Sequence, residues 1–342
     1  MKRILVVLIC FVMAFALLGC GGGGGGRARR GQSEDVINIR ASTIQLPGQQ
    51  MGIGLRLMEE NLEKELGDRV NFLGYDSATL YSSPADLEAL SRGEIQFVFA
   101  IGGMMETISS LLQVARLPWL FPNANTAYRF METSETARRI FAPLENAGLM
   151  VTGLFSSGNT IFTNSIKPLV VPADFVGMKI RTPGTMDTLS LDALGANALV
   201  TPSEEMYSMI QNAVIDGLMI PSAVFVPRRL FEVQRYMTHP GFMVFQVGYL
   251  VTNLEWYNGL PADFRAGLDR AINATVTQMR INVEEEEARI YERAVNEGTE
   301  VHYLSDDELA QWKQIIPGIY DAVRAMHGAD LIDLAVREAA SM

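Results

Sequence analysis

Cysteine and histidine are scarce in this sequence of 342 residues. Both cysteines, Cys10 and Cys20, lie near the N-terminus, so the rest of the chain can form neither a disulfide framework nor a cysteine-based metal site. The three histidines, His239, His302 and His327, are far apart and have no metal-ligand spacing, as is typical of surface or helix-capping histidines. We therefore expect no metal site and no cofactor.

Basic residues are too few for a nucleic-acid-binding protein. Lys and Arg number 28 against 39 Asp and Glu, which gives a formal net charge of −11. The sequence also has no basic stripe. These features argue against nucleic acid as a partner and disfavour broad contact with an anionic membrane.

Motifs of common enzyme classes are missing as well. The sequence contains no Gly-x-Ser-x-Gly elbow, no Walker A loop and no His-Glu-x-x-His. Asp187 and Asp192 are five residues apart, so they do not stack on one helix face as a catalytic pair. We therefore expect a protein that is not an enzyme. The alternative, a lipid-anchored α/β enzyme, would need a catalytic pair at its cleft.

The N-terminus has the pattern of a targeting segment. Two basic residues precede an apolar run at residues 4–18, which is short for a membrane span and typical of a signal peptide. The run ends in Leu-Leu-Gly-Cys, which resembles a bacterial lipobox with Cys20 as the lipidated residue. We expect a signal peptide at residues 1–19 and a flexible tether at residues 20–35, so that only acyl chains contact the membrane. A plain signal peptide or an anchor helix is the alternative.

Hydrophobic periodicity in the remaining chain predicts an α/β fold. Residues 36–101 have the pattern strand, helix, strand, helix and strand, which indicates half of a doubly wound lobe. Residues 174–221 have the pattern strand, helix, helix and strand, which favours a parallel or mixed sheet. A helical pattern at residues 262–296 is longer than one lobe, so we expect this helix to bridge two lobes. Its four glutamates at 284–287 are typical of a solvated face. Helical patterns also predict helices at about 50–66, at 305–326 with a capping box of Ser305 and Glu308, and at 329–340.

Arg181 is the main candidate for a binding residue. It lies at the end of the predicted strand 178–182, directly before a Pro-Gly break, and open α/β sheets bind ligands where strands end. The planar guanidinium can hold a carboxylate through two parallel hydrogen bonds. A surface position or a structural pair with Asp174 is the alternative.

Six separated segments, taken together, indicate a family. They are residues 87–90 with 93–95 (Leu-Glu-Ala-Leu, Gly-Glu-Ile), 117–121 (Leu-Pro-Trp-Leu-Phe), 174–181 (Asp-Phe-Val-Gly-Met-Lys-Ile-Arg), 193–197 (Ala-Leu-Gly-Ala-Asn), 207–217 (from Tyr207 to Asp-Gly) and 253–257 with 260–261 (Asn-Leu-Glu-Trp-Tyr, Leu-Pro). In this order they resemble the DctP-type solute-binding proteins of TRAP transporters, over residues 36–326.

The resemblance implies a periplasmic binding protein of two α/β lobes, joined by hinge strands, that closes on a small-molecule ligand. It places residues 36–157 and about 246–285 in lobe I, and residues 158–245 and about 286–342 in lobe II. It also implies delivery of the ligand to the membrane subunits of an ion-gradient-driven TRAP permease. In the family, the arginine that matches Arg181 holds the ligand's carboxylate.

Three positions depart from the family pattern. Thr160 stands where a second arginine is usual, Ile220 where a ligand-contacting asparagine is usual, and Ser203 where an aromatic residue is usual. A ligand hydroxyl or second carboxylate left unpaired against Ile220 would cost about 1–3 kcal/mol. We therefore expect a hydrophobic ligand with at most one carboxylate. The expected ligand-binding residues are Arg181, Thr160, Ser203, Met219, Ile220 and Phe225.

Two questions of partnership stay open from the sequence. The loss of polar contacts resembles the branch of TRAP systems whose binding protein pairs with a tetratricopeptide-repeat lipoprotein, a branch thought to handle apolar ligands. A ligand sensor that reports to a receptor would have the same kind of cleft as a transport protein.

Overall fold

The computed structural model describes residues 36–83 and 85–342. The predicted signal peptide, the predicted lipidation site Cys20 and the predicted tether lie outside these residues. Within the described part, no helix combines the length and the apolar character that crossing a membrane requires.

The strands of the described chain form two separate sheets. In chain order they are β1 (Ile37–Ser42), β2 (Val70–Tyr75), β3 (Phe97–Ile101), β4 (Leu149–Ser156), β5 (Thr160–Asn164), β6 (Lys179–Thr182), β7 (Asn197–Val200), β8 (Gly217–Pro221), β9 (Tyr236–His239), β10 (Val247–Asn253) and β11 (Glu300–Tyr303). The first sheet has the order β2-β1-β3-β10-β4 and the second the order β11-β9-β5-β8-β6-β7. This two-sheet architecture confirms the predicted two-lobed α/β fold.

The helices cover the faces of both sheets. In chain order they are α1 (Gln50–Leu66), α2 (Ala85–Ser91), α3 (Gly102–Met105), α4 (Ala124–Thr133), α5 (Glu135–Asn146), α6 (Thr185–Leu194), α7 (Met206–Gln211), α8 (Leu254–Gly259), α9 (Ala262–Asn296), α10 (Asp306–Trp312), α11 (Ile316–His327) and α12 (Ala329–Ala340). In the first lobe, β1, β2 and β3 are parallel and alternate with α1 and α2, which confirms the order predicted for residues 36–101.

The second sheet contains strands that the sequence pattern did not predict. β7 lies between α6 and α7, so the predicted order of strand, helix, helix and strand is wrong for residues 174–221. β7, β9 and β11 have four residues each, and β7 and β11 are sheet edges without a buried face. A strand this short shows too few alternations for its period of two to be recognised.

The single helix predicted for residues 305–326 is also wrong. Two helices, α10 and α11, replace it, with the 3-10 turn Lys313–Ile315 between them. Pro317 lies in the first turn of α11, where its missing N–H breaks no helical bond but cannot continue the preceding helix. The predicted capping box of Ser305 and Glu308 is confirmed at the start of α10.

Helix α9 contacts both lobes, as predicted. It is 35 residues long, or about 52 Å at 1.5 Å per residue. Its first half packs on the first sheet through Ala271, Ile272 and Met279, whereas Tyr291 and Ala294 pack in the core of the second lobe. The bridging helix therefore couples the two sheets mechanically.

The predicted solvated face of α9 is wrong for Glu287. This carboxylate accepts hydrogen bonds from the side chains of Asn159 (3.1 Å), Ser222 (2.9 Å) and Tyr291 (2.6 Å). Gly158, at φ +93°, lies beside it, and a Cβ there would be 2.1 Å from the Ser222 hydroxyl. The segment that leads from β4 of the first sheet to β5 of the second is thus pinned to α9.

The C-terminal helices pack on the first lobe. Ile319 and Val323 of α11 and Ile332 and Ala335 of α12 belong to the same buried cluster as residues of β3 and β10. Glu338 of α12 also accepts a 2.6 Å hydrogen bond from Thr136 in α5. This packing differs from the expectation that all of residues 286–342 belong to lobe II.

Candidate functional site

Arg181 lies where a central strand of the second sheet ends. β6 is hydrogen-bonded to β8 on one side and to β7 on the other, and its last three residues are buried. Pro183 and Gly184 then break the strand, and α6 begins at Thr185. The side chain is therefore held at the carboxyl edge of the sheet, where open α/β folds bind ligands.

Arg181 is buried without a carboxylate partner. It is 2% exposed, and among the described residues it makes no ion pair. Its Nε and Nη2 donate to the Thr201 carbonyl at 3.0 and 2.6 Å, and Nη2 also donates to Ser203 Oγ at 3.2 Å. Burial lowers the pKa of Arg181 to about 10, and the charge of Asp187 opposes this effect. The second terminal nitrogen, Nη1, takes part in none of these bonds.

The alternative pair of Arg181 with Asp174 is not formed. Asp174 instead accepts from Lys167 Nζ at 3.2 Å and from the backbone N–H groups of Val170 and Val171 at 2.9 Å each. The carboxylate closes a local turn before β6. Arg181 remains the unpaired cation at the strand end.

The Arg181 side chain forms part of the wall of a cavity between the two sheets. The first sheet and its connections contribute Gln45, Ile101, Gly102, Gly103, Arg116, Ser157, Gln246 and Val247; the second contributes Arg181, Pro183, Ser203, Met206, Ile220, Pro221 and Val224. The space open to the centre of a water molecule is about 30 Å³. An adjoining, more open pocket of about 310 Å³ shares Arg181, Pro183 and Ser203 with the cavity. The lobes are thus close together, and a ligand of more than a few atoms requires this second space or a movement of the lobes.

Three of the predicted binding residues lie together on the cavity wall, and three do not. Arg181, Ser203 and Ile220 line the cavity. Thr160 lies behind the wall, where its hydroxyl accepts a 2.8 Å hydrogen bond from the wall residue Gln246. Met219 and Phe225 are fully buried in the two cores on opposite faces of the second sheet.

The sequence pattern did not identify several wall residues. Gln45, Gln246 and Arg116 come from the first lobe or from the connection to it, and Met206 and Val224 belong to the same buried cluster as Ile220. No spacing links these positions, because only the folded arrangement of the two sheets brings them together. The buried Gln45 had one usable signal, since it lies three residues after the end of β1, at the carboxyl edge of the first sheet.

A buried ion cluster adjoins the cavity and joins the lobes. Arg116, in the first lobe, donates from Nη1 to Glu106 Oε1 at 2.7 Å and from Nη2 to Asp187 Oδ2 at 2.5 Å. Asp187 belongs to α6 of the second lobe, and Glu106 accepts from the first two backbone N–H groups of α6 at 3.1 and 3.4 Å. Burial raises the pKa of Glu106, and the charge of Arg116 opposes this effect. All three side chains are at most 4% exposed.

No group of three or more His, Cys, Asp or Glu residues with the geometry to hold a metal ion occurs in residues 36–83 and 85–342. The cavity wall contains two buried arginines, of which Arg116 is paired with carboxylates, the amides of Gln45 and Gln246, the hydroxyls of Ser157 and Ser203, and apolar side chains. This arrangement suits non-covalent binding of a small molecule with one anionic group.

Comparison with known proteins gives a family match and several relatives. The family described as bacterial extracellular solute-binding protein, family 7 (DctP), matches residues 41–325. The C4-dicarboxylate-binding periplasmic protein DctP of Rhodobacter capsulatus is 27% identical over 306 residues, which cover 86% of this chain and 89% of that protein. The 2,3-diketo-L-gulonate-binding periplasmic protein YiaO of Escherichia coli is 26% identical over 248 residues, 72% of this chain and 73% of that protein.

Solved structures share the fold. A TRAP periplasmic solute-binding protein from Shewanella oneidensis, with bound succinate, superposes with a TM-score of 0.83 at 22% identity and covers 89% of this chain and 99% of that chain. Another TRAP periplasmic solute-binding protein, from Roseobacter denitrificans with bound β-D-glucuronate, has a TM-score of 0.81 at 20% identity and covers 88% of this chain and 99% of that chain. These similarities confirm the predicted binding-protein fold.

Proposed function

Because the chain belongs to the DctP family of bacterial extracellular solute-binding proteins, we propose that it binds a hydrophobic monocarboxylate in the cleft at Arg181 and delivers it to a TRAP-type permease. Membership confirms the predicted family and, with it, a solute-binding rather than catalytic protein. One observation carries the ligand assignment: Arg181 is a buried guanidinium without a carboxylate partner in the described chain. A ligand carboxylate would supply the missing counter-charge.

The apolar side chains of the cavity wall indicate that the part of the ligand beyond its carboxylate is apolar. Ile101, Met206, Ile220, Val224 and Val247 contribute apolar side chains to the cavity wall that also contains Arg181. The related proteins named above bind dicarboxylates or sugar acids, whose extra hydroxyl or carboxylate groups need hydrogen-bond partners. Each such group left unpaired against this wall costs about 1–3 kcal/mol, so polar acids bind less well than apolar ones.

Thermal-shift screening tests the ligand class. A ligand at 100 times its Kd adds about 2.7 kcal/mol to the stability of the folded state, which raises Tm by several degrees. We expect this rise with apolar monocarboxylic acids of increasing chain length. If succinate or a sialic-type sugar acid raises Tm and apolar acids do not, the proposed ligand class is wrong.

We further propose that Cys20 carries acyl chains that hold the protein at a bacterial membrane, on its periplasmic side. The Leu-Leu-Gly-Cys segment after a signal-peptide pattern supports this proposal. Fractionation of cells that express the full chain tests it. Wild type is expected with the membranes and Cys20→Ser in the soluble fraction, and an unchanged distribution would argue for a different type of anchor.

The partners distinguish transport from ligand sensing. Genes for TRAP membrane subunits next to the gene for this chain would favour transport, and a neighbouring receptor gene would favour sensing. A tetratricopeptide-repeat lipoprotein as an additional partner is supported only by the apolar cleft. Affinity purification of the ligand-bound protein with that lipoprotein tests the association, and failure to co-purify at micromolar concentrations would contradict it.

A further inference from the structure

Two arginines line the cavity, and one of them has no carboxylate partner among the described residues. Arg116 and Arg181 both form part of the wall. Arg116 has each terminal nitrogen bonded to a buried carboxylate, one from Glu106 and one from Asp187. Arg181 has carbonyl and hydroxyl partners and no ion pair among the described residues. The cavity therefore presents one unneutralised guanidinium, although it contains two.

Because Arg116 is already paired with two carboxylates, the cavity is unfavourable for a second anionic group of the ligand. A carboxylate transferred from water into a buried site needs a cation with free donors, because an unpaired charge there has a large desolvation cost. Near Arg116 it would meet the negative charges of Glu106 and Asp187 as well, and like charges in a buried site repel strongly. Arg116 Nε is buried without a partner in the described chain, but two carboxylates already oppose the charge of this guanidinium.

We propose that Asp187 and Glu106, by occupying Arg116, restrict the closed cleft to ligands with a single carboxylate. The proposal rests on the proposed function, since it needs Arg181 to bind the first carboxylate. Residues that do not themselves bind the ligand thus determine how many carboxylates the site accepts. Asp187 contributes from the second lobe, so this selectivity is complete only when the lobes are closed.

Length-matched acids test the proposal by calorimetric titration of the full folded chain. The probes are pentanoate with glutarate, and butyrate with succinate, in which each pair differs by one carboxylate. We expect wild type to prefer each monocarboxylate. In Asp187→Asn, Arg116 Nη2 loses its carboxylate partner. The ratio of the two affinities in each pair should then shift at least about tenfold toward the dicarboxylate, because one charge-assisted hydrogen bond contributes about that much to affinity.

Two further variants control for structural effects. Glu106→Gln frees the other terminal nitrogen of Arg116 and should shift the ratio in the same direction, so the test does not depend on one variant being folded. Asp192→Asn removes an exposed carboxylate from the same helix and should leave the ratio unchanged. A purely structural role for Asp187 would weaken both members of each pair equally.

The outcomes separate this proposal from the proposed function. An unchanged ratio in both Asp187→Asn and Glu106→Gln overturns the proposal, as does a wild type that prefers succinate or glutarate. If wild type binds none of the four acids but the variants gain a dicarboxylate, the role of Asp187 is supported, and the longer acids of the thermal-shift screen decide the ligand class separately. If the variants gain no dicarboxylate either, the proposal fails.

Discussion

Replacing Arg181 with methionine is expected to reduce affinity for the ligand by at least about 30-fold, with little loss of stability in the unliganded protein. Removing one partner of a buried, hydrogen-bonded charge pair costs about 2–5 kcal/mol, and each 1.4 kcal/mol is a factor of ten in Kd. Titration with the monocarboxylate that raises the wild-type Tm most would measure the change.

Arg181→Met is also expected to have a small effect on the stability of the unliganded protein. Methionine leaves the Thr201 carbonyl without two donors but also removes a buried cation that makes no ion pair among the described residues. The free energy of unfolding without ligand should therefore stay within about 1 kcal/mol of wild type or rise. Arg181→Met with unchanged affinity and a large loss of stability would identify Arg181 as a structural residue.

Unlike Arg181→Met, replacing Arg116 with methionine is expected to destabilise the unliganded protein. The expected loss is about 3–5 kcal/mol in the free energy of unfolding at neutral pH. The reason is that Glu106 and Asp187 would remain as buried carboxylates without a cation. Urea unfolding of the unliganded protein measures the loss. Arg138→Met is the matched control, since Arg138 is 68% exposed in its pair with Glu135 and should contribute less than about 1 kcal/mol.

Lowering the pH should restore part of the free energy of unfolding that Arg116→Met loses. Burial holds the pKa of Glu106 above its ordinary value of 4.5, and loss of the Arg116 cation raises it further. A carboxyl group with a raised pKa favours the folded state below its unfolded pKa, and this contribution is lost as pH rises through the folded pKa. The deficit relative to wild type should therefore be largest near pH 8 and shrink toward pH 5. A deficit that is independent of pH would show that packing, rather than charge, explains the loss.

Long elements with a clear period could be predicted from the sequence, and short ones could not. α1, α9 and α12 lie at the predicted residues, because several turns of amphipathic pattern and terminal Gly or Pro residues define them. β7 and β11 have four residues at sheet edges, and their pairing depends on strands distant in sequence. Their existence is decided by tertiary contacts rather than by local pattern.

Binding-site residues could be predicted from the sequence only where a single segment contains the local pattern that indicates them. Arg181 stands out because a strand end and a Pro-Gly break adjoin it. Met219 and Ile220 point to opposite faces of the second sheet, as consecutive residues within a strand do. The structure places Ile220 at the cavity and Met219 in the core. The cluster around Arg116 combines residues 71 positions apart in the chain, so its partners are visible only in the fold.

The identity of the natural ligand decides whether the cleft at Arg181 binds a monocarboxylate. Mass spectrometry of small molecules released from the protein, purified from its own cells, would provide it. We expect a compound with one carboxylate and an apolar remainder, present with wild type and absent from Arg181→Met prepared in the same way. A dicarboxylate or a sugar acid, or the same compound released equally from both proteins, would contradict the account.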